Sequence, residues 1–343
     1  MDGRDAQRHG AHQLLREPGD GVFQGGDPGE LGRGLERLSA AAQTPSPGEI
    51  FLDHVGWFVS DTDEASRAFA RLGFPLTPYT VHRNEDAAGN RVPTGTANRC
   101  AMLGRGYLEV LTDVPGLDTP FARAHREAVA RHEGLHLIAF AVDDTDAEAR
   151  RLDAAGFAPR PVANLRRPMP VDGGGEAEAA FSVLRVPPGT MAEGRMQILR
   201  HETPDLVWQP STIARDNALA GLAGVLICTD DPAEAAARHA RFTGRQAAGA
   251  TVALDRGRLD FVDPDGLARI VPGARPPSLP FIAAAVLQSA DIAATRRFVE
   301  AAGVPAAGLA EGAFAIPPEF AMGAWLVVEE AGAEQADRAP RGP

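Results

Sequence analysis

Three side chains with metal-binding or proton-moving chemistry stand in the middle of apolar runs. They are His54 in FLDHVGWFV (51–59), Glu109 in YLEVL (107–111) and His136 in LHLIAFAV (135–142). Alternation along a strand puts Leu52, His54, Gly56 and Phe58 on one face and Val55, Trp57 and Val59 on the other. An ionisable group in such a run is rarely buried without a partner. Imidazole and carboxylate suit Fe(II), Mn, Ni, Co or Zn, and two histidines with one carboxylate leave open positions on an octahedral ion. Gly56, on the face of His54, is expected to leave room for a ligand there. The competing interpretation is a polar cluster satisfied inside a non-catalytic binding protein.

The elements that must position these groups repeat along the chain. HVGWFVSDTDEASRAFARLGF (54–74) is echoed by HLIAFAVDDTDAEARRLDAAGF (136–157), each a strand, an acidic turn, an amphipathic helix and a closing Gly-Phe. Ala65, Phe69 and Leu72 mark the apolar stripe of the first helix. In the second, Thr145 with Glu148 reads as a capping box and Gly156 as the stop. Fainter copies are GVLICTDDPAEAAARHARFTG (224–244) and AAAVLQSADIAATRRFVEAAG (283–303), where Ala223, Gly224 and Ala283 stand in place of histidine. Strand-like runs follow each helix, ending in GYLEVL (106–111), GRMQILRH (194–201), RLDFVDPDG (258–266) and AWLVVEE (324–330). The chain is therefore expected to be α+β, four βαβββ modules with boundaries near 113–120, 202–220 and 272–280, where Pro, Gly and Asp cluster. Residues 48–210 would form a metal-binding pair of modules and 211–332 a second pair without ligands. Residues 1–47 read as a disordered leader or the product of an upstream start codon, and 333–343 as a disordered tail.

LDHVGWFV with its helix, GTANRCAMLGRGYLEVL (95–111), GLHLIAFAV (134–142) and QILRHETPDLVWQ (197–209) together resemble the vicinal-oxygen-chelate superfamily, and within it the glyoxalase-like proteins. The resemblance covers residues 50–210 and reaches the rest by module outline. It implies that two modules pair edge to edge into a curved sheet around one divalent metal ion (Fe, Mn, Ni, Co or Zn), with ligands from the first and last strand of each. Carried onto this chain, those places are His54, Glu109, His136 and Gln197. Gln197 departs from the glyoxalase pattern, because an amide coordinates weakly and cannot accept a proton. It is assigned to substrate binding, and the ligand set becomes His54, Glu109 and His136. The implied activity is a metal-dependent lyase or isomerase acting through an enediolate on a small substrate with vicinal oxygens. An Fe(II) extradiol dioxygenase, whose family uses two first-strand histidines and one last-strand glutamate, is the alternative. A small-molecule binding protein is another.

Glu109 and His201 are the candidate proton carriers, His201 lying four residues beyond Gln197 on the same strand face. Asn98 and Arg99, in GTANRC, are candidates to meet an anionic substrate. Tyr79, His82 and Arg83 would line the pocket mouth or form a solvated turn. HEGLH (132–136) matches the zinc-protease signature HExxH, which needs both histidines on one helix face. Gly134 reads as a helix stop and LHLIAFAV as a strand, so the protease reading is set aside.

A net charge of −12 and a pI near 5.2 argue against nucleic acid and anionic membranes as partners, leaving a small molecule and self-association as a homodimer. Every basic residue is arginine. Cys100 and Cys228 form no paired motif, and no run reaches the roughly 18 apolar residues of a membrane span, so a reducing, cytoplasmic setting is expected.

Overall fold

In the computed structural model, which describes residues 43–85 and 90–332, the chain folds into two eight-stranded mixed sheets. The expected leader up to residue 42 and the whole expected tail lie outside the described residues. Gln43 is described and buried, its side-chain amide donating to the Gly104 carbonyl.

The first sheet holds two modules. One comprises β1 (Phe51–Phe58), α1 (Thr62–Arg71), β2 (Thr80–Glu85), β3 (Arg91–Met102) and β4 (Tyr107–Asp113). The linking helix α2 (Pro120–Arg131) leads into β5 (Gly134–Ala141), α3 (Thr145–Ala154), β6 (Ala163–Pro170), β7 (Glu176–Arg185) and β8 (Arg195–His201), followed by the short α4 (Pro204–Val207). The strand order is β2-β3-β4-β1-β5-β8-β7-β6, so the modules join through their first strands. The second sheet repeats this plan. It runs through β9 (Leu219–Cys228), α5 (Pro232–Thr243), β10 (Ala247–Ala248), β11 (Thr251–Ala253), β12 (Arg258–Val262), α6 (Pro264–Ile270), β13 (Phe281–Ser289), α7 (Ile292–Ala301), β14 (Ala307–Gly308), β15 (Phe314–Ile316) and β16 (Trp325–Glu330), in the order β10-β11-β12-β9-β13-β16-β15-β14. The expected four βαβββ modules and their pairing are present.

Each module helix begins on an aspartate, Asp61, Asp144, Asp231 or Asp291, whose carboxylate accepts backbone N–H groups of the first turn. The capping box expected at Thr145 is corrected by this. Asp144 takes the N–H groups of Asp146 and Ala147, Thr145 is the first helical residue and buried, and Glu148 turns to Arg151.

The four caps provide a common ruler. Seven residues before them stand His54, Leu137, Gly224 and Ala284, and eight before them stand Asp53, His136, Ala223 and Ala283. The central strand pairs bulge at that second set in every module. Pairing passes from Leu52/Phe140 to His54/Ala139 and from Gly56/Leu137 to Trp57/Leu135. In the second sheet it passes from Ile282/Ile227 to Ala284/Leu226 and from Val286/Gly224 to Leu287/Leu222. His136 is thus the counterpart of Asp53, and the counterpart of His54 is Leu137. Aligning histidine with histidine slips the repeat by one residue, which moves a side chain to the other face.

One apolar core joins the two sheets. It contains the fully buried Trp57, Phe69, Phe140, Phe242 and Phe314, and the Trp57 indole donates to the Ala321 carbonyl at 2.8 Å. The opposite faces differ. In the second sheet that face is closed by Leu267 and Val271 of α6 and its end, packed on Leu226, Ala284 and Val286. In the first, Ala128 of α2 packs with Phe58, Leu111 and Leu137, while the far end stays open.

His136 sits against α2 rather than in that opening. Its ring stacks on His132 at 4.1 Å and tilts on Phe58 at 5.2 Å, and its Nε2 donates to the His132 carbonyl at 2.9 Å. Burial, followed by the positive charge of its neighbours, lowers its pKa from 6.5 to about 4, although the His132 carbonyl opposes this. The unfolded chain therefore takes up a proton that the folded chain refuses. Stability from this site is complete above pH 6.5 and falls as pH drops from about 6.5 towards 4, by up to about 3 kcal/mol. His136→Phe, which keeps an aromatic ring, is expected to flatten urea-unfolding stability across that window; an unchanged slope would show that His136 is not its source.

Candidate active site

The open end of the first sheet is a cleft enclosing about 840 Å³, part of it open to solvent. His54 on β1, Glu109 on β4 and Gln197 on β8 face into it together, because Gly56 pairs with Glu109 and Ala139 with Gln197 in equivalent registers. His54 Nε2 lies 3.6 Å from Glu109 Oε2 and 3.3 Å from the Gln197 amide nitrogen. The Tyr107 ring stacks on the imidazole at 4.4 Å and 19°.

Asp53 stands behind His54. It is fully buried, and its carboxylate accepts from His54 Nδ1 at 2.7 Å and from His201 Nε2 at 2.9 Å. Burial alone would raise its pKa, but the two imidazoles hold it well below the usual carboxylate range. A charged Asp53 selects the His54 tautomer with hydrogen on Nδ1, leaving the Nε2 lone pair in the cleft. His201, expected as a proton carrier, is not part of the cleft lining. It lies buried behind Asp53, edge-on to Trp208 at 4.8 Å and Phe181 at 5.3 Å.

The remaining expected residues divide. Asn98 faces the cleft and donates to Glu109 Oε1 at 2.6 Å. Arg99, next along β3, points the other way, with its guanidinium on the Thr77 carbonyl at 3.2 Å and over the Tyr79 ring, so it is not at the site. His82, on β2, donates or accepts at Thr96 Oγ1 and places a buried Nε2 3.9 Å from Glu109 Oε1. Burial and the charge of Arg167 hold it neutral. Tyr79 and Arg83 are exposed. Gly56 makes room for protein instead of ligand: a Cβ there would meet Leu137 Cβ at 2.9 Å and Leu111 Cδ1 at 3.0 Å. His132 is an extended helix cap and His136 a strand residue, so HEGLH lacks the helix a protease motif requires.

Sequence reasoning missed Asp53, Arg167 and Arg185. The first was signalled by an acid inside FLDHVGWFV. The arginines lie in LRRPMP and SVLRV, where alternate positions of β6 and β7 put them beside Leu165, Met169, Phe181 and Val183 on the cleft wall. Cys100 also lines the cleft, but burial first and then nearby Glu109 push its thiol far up, so it is protonated and inert.

The family model described as "Glyoxalase-like domain" matches residues 52–243, the first sheet and the first strand and helix of the second. Among curated proteins none matches the chain. Among solved structures, a hypothetical protein from Staphylococcus aureus aligns with a TM-score of 0.57 at 10% identity, over 82% of this chain and 100% of that one. A mutant of 4-hydroxymandelate synthase from Streptomyces coelicolor aligns with a TM-score of 0.52 at 13% identity, covering 83% and 93%. A xylose isomerase-like TIM barrel/4-hydroxyphenylpyruvate dioxygenase fusion protein gives 0.51 at 14%, covering 87% and 53%. At such identities the likeness is one of fold.

The expected ion centre is tested by its donors. His54 and Glu109 are the two strong ones facing a common space, Gln197 adds a neutral amide, and the fourth equivalent place is Leu137. Glu109 Oε1 is already taken by Asn98. Among the described residues no three His, Cys, Asp or Glu side chains are grouped to hold an ion. The residues present do not fit a two-histidine, one-carboxylate centre, and His136 as a ligand is corrected. Leu137→His would supply the missing imidazole and is expected to raise Co(II) affinity at least about tenfold by calorimetry, with His136→Ala leaving it as in the wild type. Loss of stoichiometric metal in His136→Ala would restore that residue as a ligand.

Proposed function

The chain belongs to the glyoxalase-like domain family of the vicinal-oxygen-chelate superfamily, and from the geometry of its cleft we propose an enzyme of lyase or isomerase type that moves a proton on a small substrate with two adjacent oxygens. The observation that carries this reading is the buried Asp53 carboxylate oriented on His54 Nδ1 while Nε2 looks into the cleft beside Glu109 and Gln197.

In this reading His54 Nε2 takes the proton from the carbon next to the substrate carbonyl. Asp53 stabilises the imidazolium that forms, as an orienting carboxylate does for a histidine base. Glu109, 3.6 Å away, adds a second negative charge beside it. The stacked Tyr107 ring keeps the imidazole plane in place. The pair from the broken C–H bond forms a carbon–carbon double bond as the carbonyl π pair moves onto its oxygen, giving an enediolate, and the Gln197 amide, 3.3 Å from His54 Nε2, supplies an uncharged donor beside it. His54 then returns the proton to the former carbonyl carbon while the substrate's hydroxyl proton passes to the neighbouring oxygen, completing an isomerisation; in an elimination, a leaving group on the next carbon departs with its bonding pair and takes the proton from His54. Atoms balance with no added reagent.

The test follows exchange of solvent deuterium at the carbon beside the carbonyl, by proton NMR, over small hydroxy-ketones and keto acids. Wild type is expected to exchange. His54→Gln should slow exchange by about 10²–10⁴-fold, and Asp53→Asn by about 10²-fold or more with the circular dichroism spectrum retained. Undiminished exchange in His54→Gln refutes the reading. Oxygen uptake with a catechol after Fe(II) loading would replace it with the ring-cleaving alternative. Ligand binding without any chemistry would leave a binding protein.

A further inference from the structure

The cleft carries more positive charge than its acid–base work requires. Its charged lining sets one carboxylate, Glu109, against Arg167 of β6 and Arg185 of β7, and a third guanidinium, Arg195 of β8, lies just beyond over the Phe58 ring at 5.2 Å. Among the described residues none of the three arginines makes an ion pair or a side-chain hydrogen bond to protein; Arg167 lies over the Phe181 ring at 5.8 Å with a buried Nε that has no partner. Elsewhere in this chain half-buried arginines such as Arg258 and Arg238 are ion-paired, with Glu329 and Glu193.

Cations withdrawn from water without a partner cost stability, and their persistence in a cleft marks a charge that arrives from outside. Burial and then the charges of Arg195 and Arg167 lower the Arg185 pKa to about 10, which still leaves it protonated at neutral pH. The placement is specific. Arg185 pairs across the sheet with Gln197, the neighbour of His54, so an anion on Arg185 lies next to the reacting position. Beyond it, Leu165, Met169, Phe181 and Val183 form an apolar wall. The whole molecule carries −12, so Arg167 and Arg185 form a positive patch against a background that on average repels anions.

We infer that this cleft selects an anionic small molecule, whose carboxylate or phosphate is held by Arg167 and Arg185 while its apolar part rests on the wall formed by β6 and β7. The inference rests on the reading of the same cleft as an acid–base site and adds the class of its substrate. A guanidinium recognises either anion through paired N–H donors.

Calorimetric titration of the full chain with phenylacetate, phenyl phosphate and the neutral phenylacetamide tests it. At least one anion is expected to bind about tenfold or more tightly than the amide, and to weaken as salt rises; the tighter of the two identifies carboxylate or phosphate. Arg167→Gln and Arg185→Gln should each abolish that preference, and Arg185→Lys, which keeps the charge, should recover part of it. Both Gln variants are expected to melt no lower than wild type, since each removes a half-buried cation that has no ion-pair partner. The titrations are repeated in His54→Gln, where binding should persist. Anion binding there, with no proton exchange in the wild type, would sink the catalytic reading and keep this one. Equal affinity for phenylacetamide and both anions, or unchanged affinity in the two Gln variants, would overturn the anion site.

Discussion

A fully buried carboxylate must be given hydrogen-bond donors or give up its charge, and the way Asp53 meets that demand governs the site. The bulge in β1 turns its side chain towards the cleft side of the sheet, where His54 Nδ1 and His201 Nε2 both reach it. Removing one partner of such a buried pair costs roughly 3–5 kcal/mol, so the arrangement ties β1 to β8 as well as orienting His54. The second half of the chain contributes too. The Arg256 carbonyl takes the Leu52 N–H at 2.7 Å, one residue before Asp53, and its guanidinium charge further favours the carboxylate. The orientation of the candidate base thus depends on contacts from three places in the fold.

The two sheets are copies that have spent the same architecture differently. Both bulge at the same two places and both put their module helices into a shared core. In the second sheet the bulged residues are Ala223 and Ala283, and the places of His54 and its counterpart are Gly224, against which Arg258 lies, and Ala284, which packs with Leu267 and Val271. Small residues there make a packing surface. In the first sheet the same places hold Asp53, His136, His54 and Leu137, and α2 fills only the end where Phe58, His136 and Leu137 meet. The polar residues are kept where the filling stops.

The strands and helices of this fold were legible because period-two runs end at an aspartate that opens a period-3.6 run, four times over. His54, Glu109, Asn98 and Gln197 were legible as cleft residues because they stand mid-strand with the right parity. The errors at Leu52 and His136 share one cause. Strict alternation put Leu52 on the face of His54, yet Leu52 is in the shared core, because the bulge at Asp53 reverses parity before it. The same bulge, at His136, hid the one-residue slip that made His136 look like the partner of His54. A bulge adds a residue without changing composition, so periodicity alone does not reveal it. Arg99 failed for a simpler reason: adjacent polar residues on a strand cannot both face the cleft, and Asn98 does.

The arginines follow a different logic from the caps and the core. Local propensity and burial would have been served better by apolar residues at positions 167 and 185, as at Leu165, Phe181 and Val183 on the same faces of β6 and β7. Natural sequences that break a local rule without a compensating contact tend to do so at functional sites. Here the broken rule and the oriented histidine share one cleft, and the apolar residues between them set how far apart a ligand's charged and reacting ends can be. The two carboxylates of the site serve its imidazole: Asp53 holds Nδ1 and Glu109 stands by Nε2. Neither forms an ion pair with Arg167 or Arg185, although the Glu109 charge is felt at Arg185, and the positive side of the cleft is left to the molecule that enters it.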